Sequence, residues 1–326
     1  MGITLYKNAD WILTVNEKRE KFRHGDLLIS GKEILDVGND LEKKYAGKLQ
    51  IDKTIDAKGT VILPGFVNIH HHTWQSLIRN IQATRGLKLE PWLTVMYEIY
   101  KDLNTDVARA GVYSGLGDML KTGCTTSNDL WYPHPVGVKY LVDAEIQAAA
   151  EIGIRFHPTR GFHSVPSDIV PPEVVDTKES VTEDTIRLVK KYHDRSRFSM
   201  CQVGIAPSIA QYETEDIIEA VVDLAEEYDI MVHGHLAESQ HEVEYTLKTW
   251  GCRPFEWFKR HRLLGKRFYF AHCIHLNEEE IEQMAETETG VAHCPISNML
   301  LSSGACPVPS YLKHGLTRIG LGVDGA

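Results

Sequence analysis

Histidines and carboxylates gather at a few points of the chain in patterns that suit a metal ion. In Val67-Asn68-Ile69-His70-His71-His72 an apolar, strand-like run ends in three histidines. The period of two along a strand puts His70 and His72 on one face and His71 on the other, so two imidazoles can share one ion. In Val232-His233-Gly234-His235-Leu236-Ala237-Glu238 another pair stands two positions apart, and spacing alone does not choose between His233 and His235. Asp324 lies in Gly322-Val323-Asp324-Gly325, a carboxylate among glycines that permit close approach. Three imidazoles and one carboxylate suit zinc or iron(II), with water completing the shell. Glu238, three residues beyond His235, and His272, closing the apolar run 268–271, are candidate proton handlers, and His275 follows three residues later.

These groups need a scaffold that brings distant strand ends together. Residues 1 to about 60 read as a small domain of β-hairpins, with short runs such as ITLY, WILTV, DLLIS and EILDVG between polar turns. From 61 onward strands alternate with helices. Apolar strand signals occur at 61–68, 124–130, 154–160, 200–207, 230–238, 268–275, 290–295 and 318–324. Helical patterns fall near 106–121, 139–152, 183–193, 215–228, 241–250, 278–287 and 309–314; in 215–228 Ile217, Ile218, Val221, Val222 and Ala225 share a face. Eight strands with helical crossovers imply an α/β fold with parallel strands. The polar residues sit at the C-terminal ends of most strands, which favours a (β/α)8 TIM barrel over an open doubly wound sheet, where sites cluster at one switch point.

The 326 residues suit one barrel of roughly 250 residues plus a small appendage. A formal net charge of −10 argues against a nucleic-acid polymer as partner. Six scattered cysteines without a C-x-x-C pair argue against a zinc ribbon or a disulfide framework and for a reducing compartment. Neither a signal peptide nor an apolar run long enough to span a membrane is visible, so a cytoplasmic location is expected.

The ordered set PGFVNIHHH (64–72), HLAE (235–238), AHCIHL (271–276), AHCPISN (292–298) and LGVDGA (321–326) resembles the amidohydrolase superfamily, in the branch of cytosine, guanine, 8-oxoguanine and S-adenosylhomocysteine deaminases and triazine hydrolases. The resemblance runs from about residue 60 to the end, and the β-rich start is similar to the small β-sandwich that flanks these barrels. It implies that His70, His72, His235 and Asp324 hold one divalent metal, zinc first and iron(II) as the alternative. The H-x-x-E pattern selects His235 over His233. It further implies that Glu238 shuttles protons, that Asp324 also accepts the water proton, and that His272 orients or polarises at the reacting carbon. The fourth strand, 200–207, lacks the lysine that bridges two metals in cyclic-amide hydrolases, which points to one ion. The expected chemistry is hydrolytic loss of an amino group as ammonia, with a small heterocycle as the partner molecule and a homo-oligomer as a family habit.

For the substrate, Gln75 continues an H-x-H-x-x-Q pattern that in guanine-type deaminases sets an amide against the purine edge, and an amide offers both donor and acceptor. Arg160, in a TRG run (159–161), is a candidate holder of an oxo group, and Trp74, Trp131 and Tyr132 are candidate stacking surfaces. Together with a YHD-x-SR run (192–197) and HCPISNM (293–299), these most resemble 8-oxoguanine deaminases. Isoxanthopterin and hydroxytriazine aminohydrolases, or a triazine chlorohydrolase, are the alternatives, and the segment 161–177 departs from the glycine-rich loop of the 8-oxoguanine enzymes. A catalytically dead barrel acting as a scaffold is the rival of a different class. Relatives continue past the final aspartate into a last helix and further strands, so a 1–326 fragment is expected to be unstable on its own.

Overall fold

The computed structural model describes residues 2–325. By compactness these divide into a unit reaching to Phe66, joined by Ser196–Phe198, and a larger unit of Val67–Arg195 with the chain from Ser199 onward. In the smaller unit, β1 (Ile3–Leu13), β2 (Lys21–Ser30), β3 (Glu33–Gly38), β4 (Lys53–Asp56) and β5 (Val61–Ile62) form one five-stranded sheet. The hairpins β1–β2 and β2–β3 are antiparallel, as the polar turns suggest, whereas β4 and β5 run parallel to β1. The physical reason is the connection: after β3 the chain turns through the helix Leu41–Tyr45 before rejoining β1 on its other edge, and such a crossover permits parallel pairing. Leu5, Leu28 and Leu41 form one small apolar core there, and Ala9, Ile12 and Ala57 another.

The larger unit is a closed barrel of β6 (Phe66–Asn68), β7 (Cys124–Trp131), β8 (Arg155–Phe162), β9 (Gly204–Pro207), β10 (Val232–Leu236), β11 (Phe268–His272), β12 (Gly290–His293) and β13 (Ile319–Leu321). Neighbouring strands pair in parallel, and β13 meets β6 through Leu321 and Asn68 to close the ring. This is the (β/α)8 barrel, with helices between the strands. The run 61–68 is not one buried strand: Pro64-Gly65 interrupts it, so Val61 and Ile62 pair with β1 while Phe66–Asn68 joins the barrel. Val61, Phe66 and Val67 are accordingly exposed.

Helix boundaries follow local capping. Asn104 caps Thr105–Lys121, Ser239 caps Gln240–Trp250, and Asn277 with Glu280 forms a reciprocal capping box on Glu278–Thr287. The helix Lys178–Tyr192 begins earlier than its apolar pattern suggests because Thr177 accepts from Ser180 N and fixes the start. Leu89–Tyr100, a helix ahead of that capped by Asn104, brings Tyr97 and Tyr100 into the core. Among the described residues no helix is long and apolar enough to cross a membrane.

Candidate metal centre and pocket

The strand ends of the barrel carry the cluster. His70 and His72 follow β6, His235 lies in β10, His272 ends β11, and Asp324 stands three residues past β13. All five are nine-tenths or more buried. Nε2 of His72 is 3.3 Å from Nε2 of His235, and Oδ1 of Asp324 is 3.5 Å from His70 Nε2 and 3.4 Å from His72 Nε2. The structure therefore brings together the four side chains that the sequence singles out as ligands.

The opposite edge of each imidazole is tied down. His72 Nδ1 donates to Leu130 O at 2.7 Å, and His235 Nδ1 to Ser208 O at 2.7 Å. His70 Nδ1 meets His233 Nε2 at 2.7 Å, and His233 Nδ1 in turn donates to Tyr269 O at 2.9 Å. That chain makes His233 Nε2 an acceptor and His70 Nδ1 a donor, so His70 turns a lone pair at Nε2 towards the centre. His70 Nε2 is buried and makes no hydrogen bond. Such orientation of imidazoles by outer hydrogen bonds is how metal sites fix their ligands, and these residues fit a divalent ion. His233, stacked on Tyr269 with ring centroids 4.0 Å apart, supports His70 from behind.

Electrostatics points the same way. Burial lowers the pKa of His70 and His72 to about 3 and that of His235 well below the usual imidazole range, so all three are neutral and able to ligate. Burial works to raise Asp324, but the imidazoles of His70, His72 and His272 around it outweigh burial and hold it well below the carboxylate range. Cys294 lies in the same neighbourhood, where burial keeps its thiol far above its ordinary pKa and hence protonated, a poor ligand.

Glu238 and His272 meet beside this cluster. His272 Nε2 is 3.4 Å from Glu238 Oε2 and 3.7 Å from Asp324 Oδ2, while its Nδ1 donates to Asn298 Oδ1 at 2.8 Å. Burial lifts Glu238 to about 7, and Ser303 Oγ donates to its Oε1 at 3.1 Å. For His272 burial is opposed, and outweighed, by Glu238 and Asp324, so its pKa is raised. The backbone is unusual here: Ala237, His272, Cys273 and Asp324 all have positive φ, a conformation that costs energy in residues with a side chain and clusters at functional sites. Cross-strand bonds hold it, including Cys273 N to Leu236 O and Asp324 N to His70 O. Gly322 allows the close approach expected of it, since a Cβ there would lie 2.7 Å from the His70 Cβ.

The cluster opens into a pocket lined by His72, Gln75, Tyr132, His163, Gln211 and Glu238, among others. Gln75 is in place: its Nε2 donates to Tyr100 Oη at 2.8 Å, leaving Oε1 without a partner. Arg160 is not part of this pocket. Its buried guanidinium is bound to Asp176 and Asp184, at 2.8 and 3.1 Å, on the side of the helix Lys178–Tyr192. The reason is the alternation of a strand, which turns residue 160 away from the barrel mouth. Trp74 is also elsewhere: fully buried among His72, Trp131 and Tyr132, it buttresses the ligands and offers no free face. His275 bonds Ser303 O. Sequence reasoning passed over His163, Gln211, Glu213, Glu242 and Ser303. Only Glu242, which accepts from the amides of Ala237 and Glu238, carried a usable signal, as the third helix residue behind the Ser239 cap.

A parallel barrel with three neutral imidazoles and one ionised carboxylate at its strand ends defines a class, the barrels that hold a catalytic divalent metal at the mouth. The amidohydrolase family profile matches residues 61–326, and this chain belongs to that family. It is 35% identical over 274 residues to an 8-oxoguanine deaminase of Pseudomonas aeruginosa, covering 83% of this chain and 61% of that protein. It is 31% identical to a 5-methylthioadenosine/S-adenosylhomocysteine deaminase of Bacillus cereus, covering 98% of this chain and 69% of the relative. The chain thus spans about two thirds of the length of these relatives. Among solved structures, the zinc complex of atrazine chlorohydrolase from Arthrobacter aurescens superposes with a TM-score of 0.89 at 25% identity, over 98% of this chain and 72% of that one.

Proposed function

We propose that this protein removes an amino group by hydrolysis from an oxo-bearing nitrogen heterocycle, with an 8-oxoguanine-like purine as its first substrate, and releases ammonia. One observation carries the reading: Glu238 and His272 meet at 3.4 Å directly beside the converged His70, His72, His235 and Asp324. His70, His72, His235 and Asp324 would hold a single ion, zinc before iron(II). When bound, such an ion supplies a water acidified towards neutrality.

The side chains divide the proton work. Asp324, held ionised, and Glu238 together take up the proton of the attacking water. Glu238, lifted to about 7 by burial, takes up and gives back a proton near neutral pH, which is what delivery to a ring nitrogen requires. His272, fixed by Asn298, holds a proton more readily than an ordinary imidazole and can donate to charge developing on the substrate. Water adds at the amine-bearing carbon, the amine is protonated, and the C–N bond breaks to give the oxo product and ammonia. Gln75 offers its unpartnered oxygen to a lactam N–H.

The 35% identity to an 8-oxoguanine deaminase supports a purine. A second reading, aminohydrolysis of isoxanthopterin or a hydroxytriazine or dechlorination of a triazine, needs the same cluster and is favoured by the resemblance to atrazine chlorohydrolase. The deciding experiment offers 8-oxoguanine, guanine, isoxanthopterin, cytosine and hydroxytriazines to the zinc-reconstituted protein and measures ammonia alongside metal content. Ammonia from an oxopurine at one zinc per chain is expected. A fully loaded protein that releases none from any of them overturns the proposal.

A further inference from the structure

The pocket wall facing away from the ligand cluster is built from the chain after β8, the chain after β9 and the helix Leu89–Tyr100, and the mechanism above uses none of it. Its histidine is already committed. His163 Nε2 meets the Tyr97 hydroxyl at 2.5 Å, its Nδ1 faces Glu213 at 3.5 Å, and Tyr132 and Tyr212 pack edge-on against its ring. Gln211 differs. It is 94% buried, lines the pocket, and its carboxamide oxygen has no hydrogen-bond partner in the protein, as is also true of Gln75. Its backbone is rigidly placed: the turn Ala210–Tyr212 closes with Tyr212 N on Ile209 O, and Ser164 N and Val165 N both donate to Tyr212 O. A fixed, buried and unpaired acceptor on a residue that lines a pocket can be completed by a donor on the ligand. Among the described residues lining this pocket there is no lysine or arginine, whereas Glu90, Glu238 and Asp324 are present.

We propose that Gln211 is a specificity-determining residue, which together with Gln75 accepts hydrogen bonds from two N–H groups of an uncharged ring and thereby excludes N-alkylated and phosphorylated forms of the same base. The inference rests on the deaminase reading only for which atoms of the ring react.

The test is calorimetric binding to the zinc-loaded Glu238→Gln protein, which holds the ring without turning it over. The probes are 8-oxoguanine, isoxanthopterin, their ring-N-methylated derivatives and guanosine monophosphate. At least one unmethylated ring is expected to bind, with methylation and the phosphate each weakening binding tenfold or more. Adding Gln211→Met, which keeps the shape and removes the acceptor, should weaken that ring tenfold or more, while Gln211→Glu, which keeps an acceptor, stays within about threefold. Equal binding by Gln211→Met, equal binding of the methylated rings, tighter binding of the nucleotide, or no binding by any probe each overturns the proposal. Should Gln211→Met lose its zinc, the methylated probes decide with Gln211 intact. Ammonia release by the unaltered enzyme with binding indifferent to Gln211 sinks this inference alone. Gln211-dependent binding without ammonia release sinks the deaminase reading alone.

Discussion

The two walls of the pocket are built on opposite plans. On the ligand wall, each imidazole is clamped through its outer nitrogen to Leu130 O, Ser208 O or His233, so that every inner nitrogen has one orientation. On the far wall, His163 is absorbed in contacts with Tyr97 and Glu213, and the carboxamide of Gln211 keeps an unpaired oxygen. The first wall is finished without a substrate, and the second is finished by one. Chemistry common to many rings can thus be kept constant while selectivity is changed by the loops after β8 and β9.

The comparison is broken most severely at the ligand wall. His235→Ala should leave less than a tenth of the normal zinc per chain by elemental analysis and lower kcat/KM by at least about 10⁴-fold, because a buried ligand cannot be replaced from solvent. Retention of zinc and activity would mean that His233 or Cys294 substitutes for it. The next effect is that of Glu238→Gln, which keeps shape and metal but cannot carry the proton. A fall in kcat of about 10³-fold with KM changed little is expected from steady-state kinetics, in line with a general acid–base group.

The titration of Glu238 gives a smaller effect. Its folded-state pKa is raised to about 7, so the carboxyl is protonated below that pH and cannot accept from the attacking water. Initial rates at subsaturating substrate should therefore fall about tenfold for each pH unit below 7 and level off above it. The sign for stability is the reverse. A carboxyl whose folded pKa lies above its unfolded value favours the native state at low pH and loses that contribution as pH rises through about 7, and Glu242, lifted by burial to about 8, adds to the same trend. The buried imidazoles, among them His70 and His72 with values lowered to about 3, oppose that trend, because they gain stability as pH rises through the unfolded imidazole value.

What could be read from the chain follows the same division. The ligand wall announces itself because period-two spacing at a strand end, a glycine beside an aspartate and H-x-x-E each leave a local trace, and β10 and β11 carry theirs within a few residues. The far wall leaves none. His163 and Gln211 are far apart in sequence, stand just past two different strands, and acquire meaning only when β8 and β9 are set side by side. The barrel was legible through strand–helix alternation, but the run 61–68 misled, since an apolar stretch does not reveal that Pro64-Gly65 hands its two halves to different sheets. Arg160 misled for the opposite reason: its position near a strand end was right, while the face it occupies depends on a register that TRG alone does not set.

Arg160 therefore supplies the mildest perturbation of catalysis and the sharpest control on the comparison. Its guanidinium is 2% exposed and paired with Asp176, itself almost buried, and with the partly exposed Asp184. Arg160→Met keeps the aliphatic stem but leaves Asp176 charged in a site without its cation. Removing one partner of a buried pair costs about 3 kcal/mol or more, and the exposed Asp184 adds little. Thermal unfolding should shift down by several degrees, while kcat and KM per zinc-loaded chain at 20 °C stay within about twofold. If instead KM for oxo-bearing rings rose tenfold and the unfolding midpoint held, Arg160 would belong to the far wall after all. The loop after β8 would then have to swing its arginine inward when substrate binds.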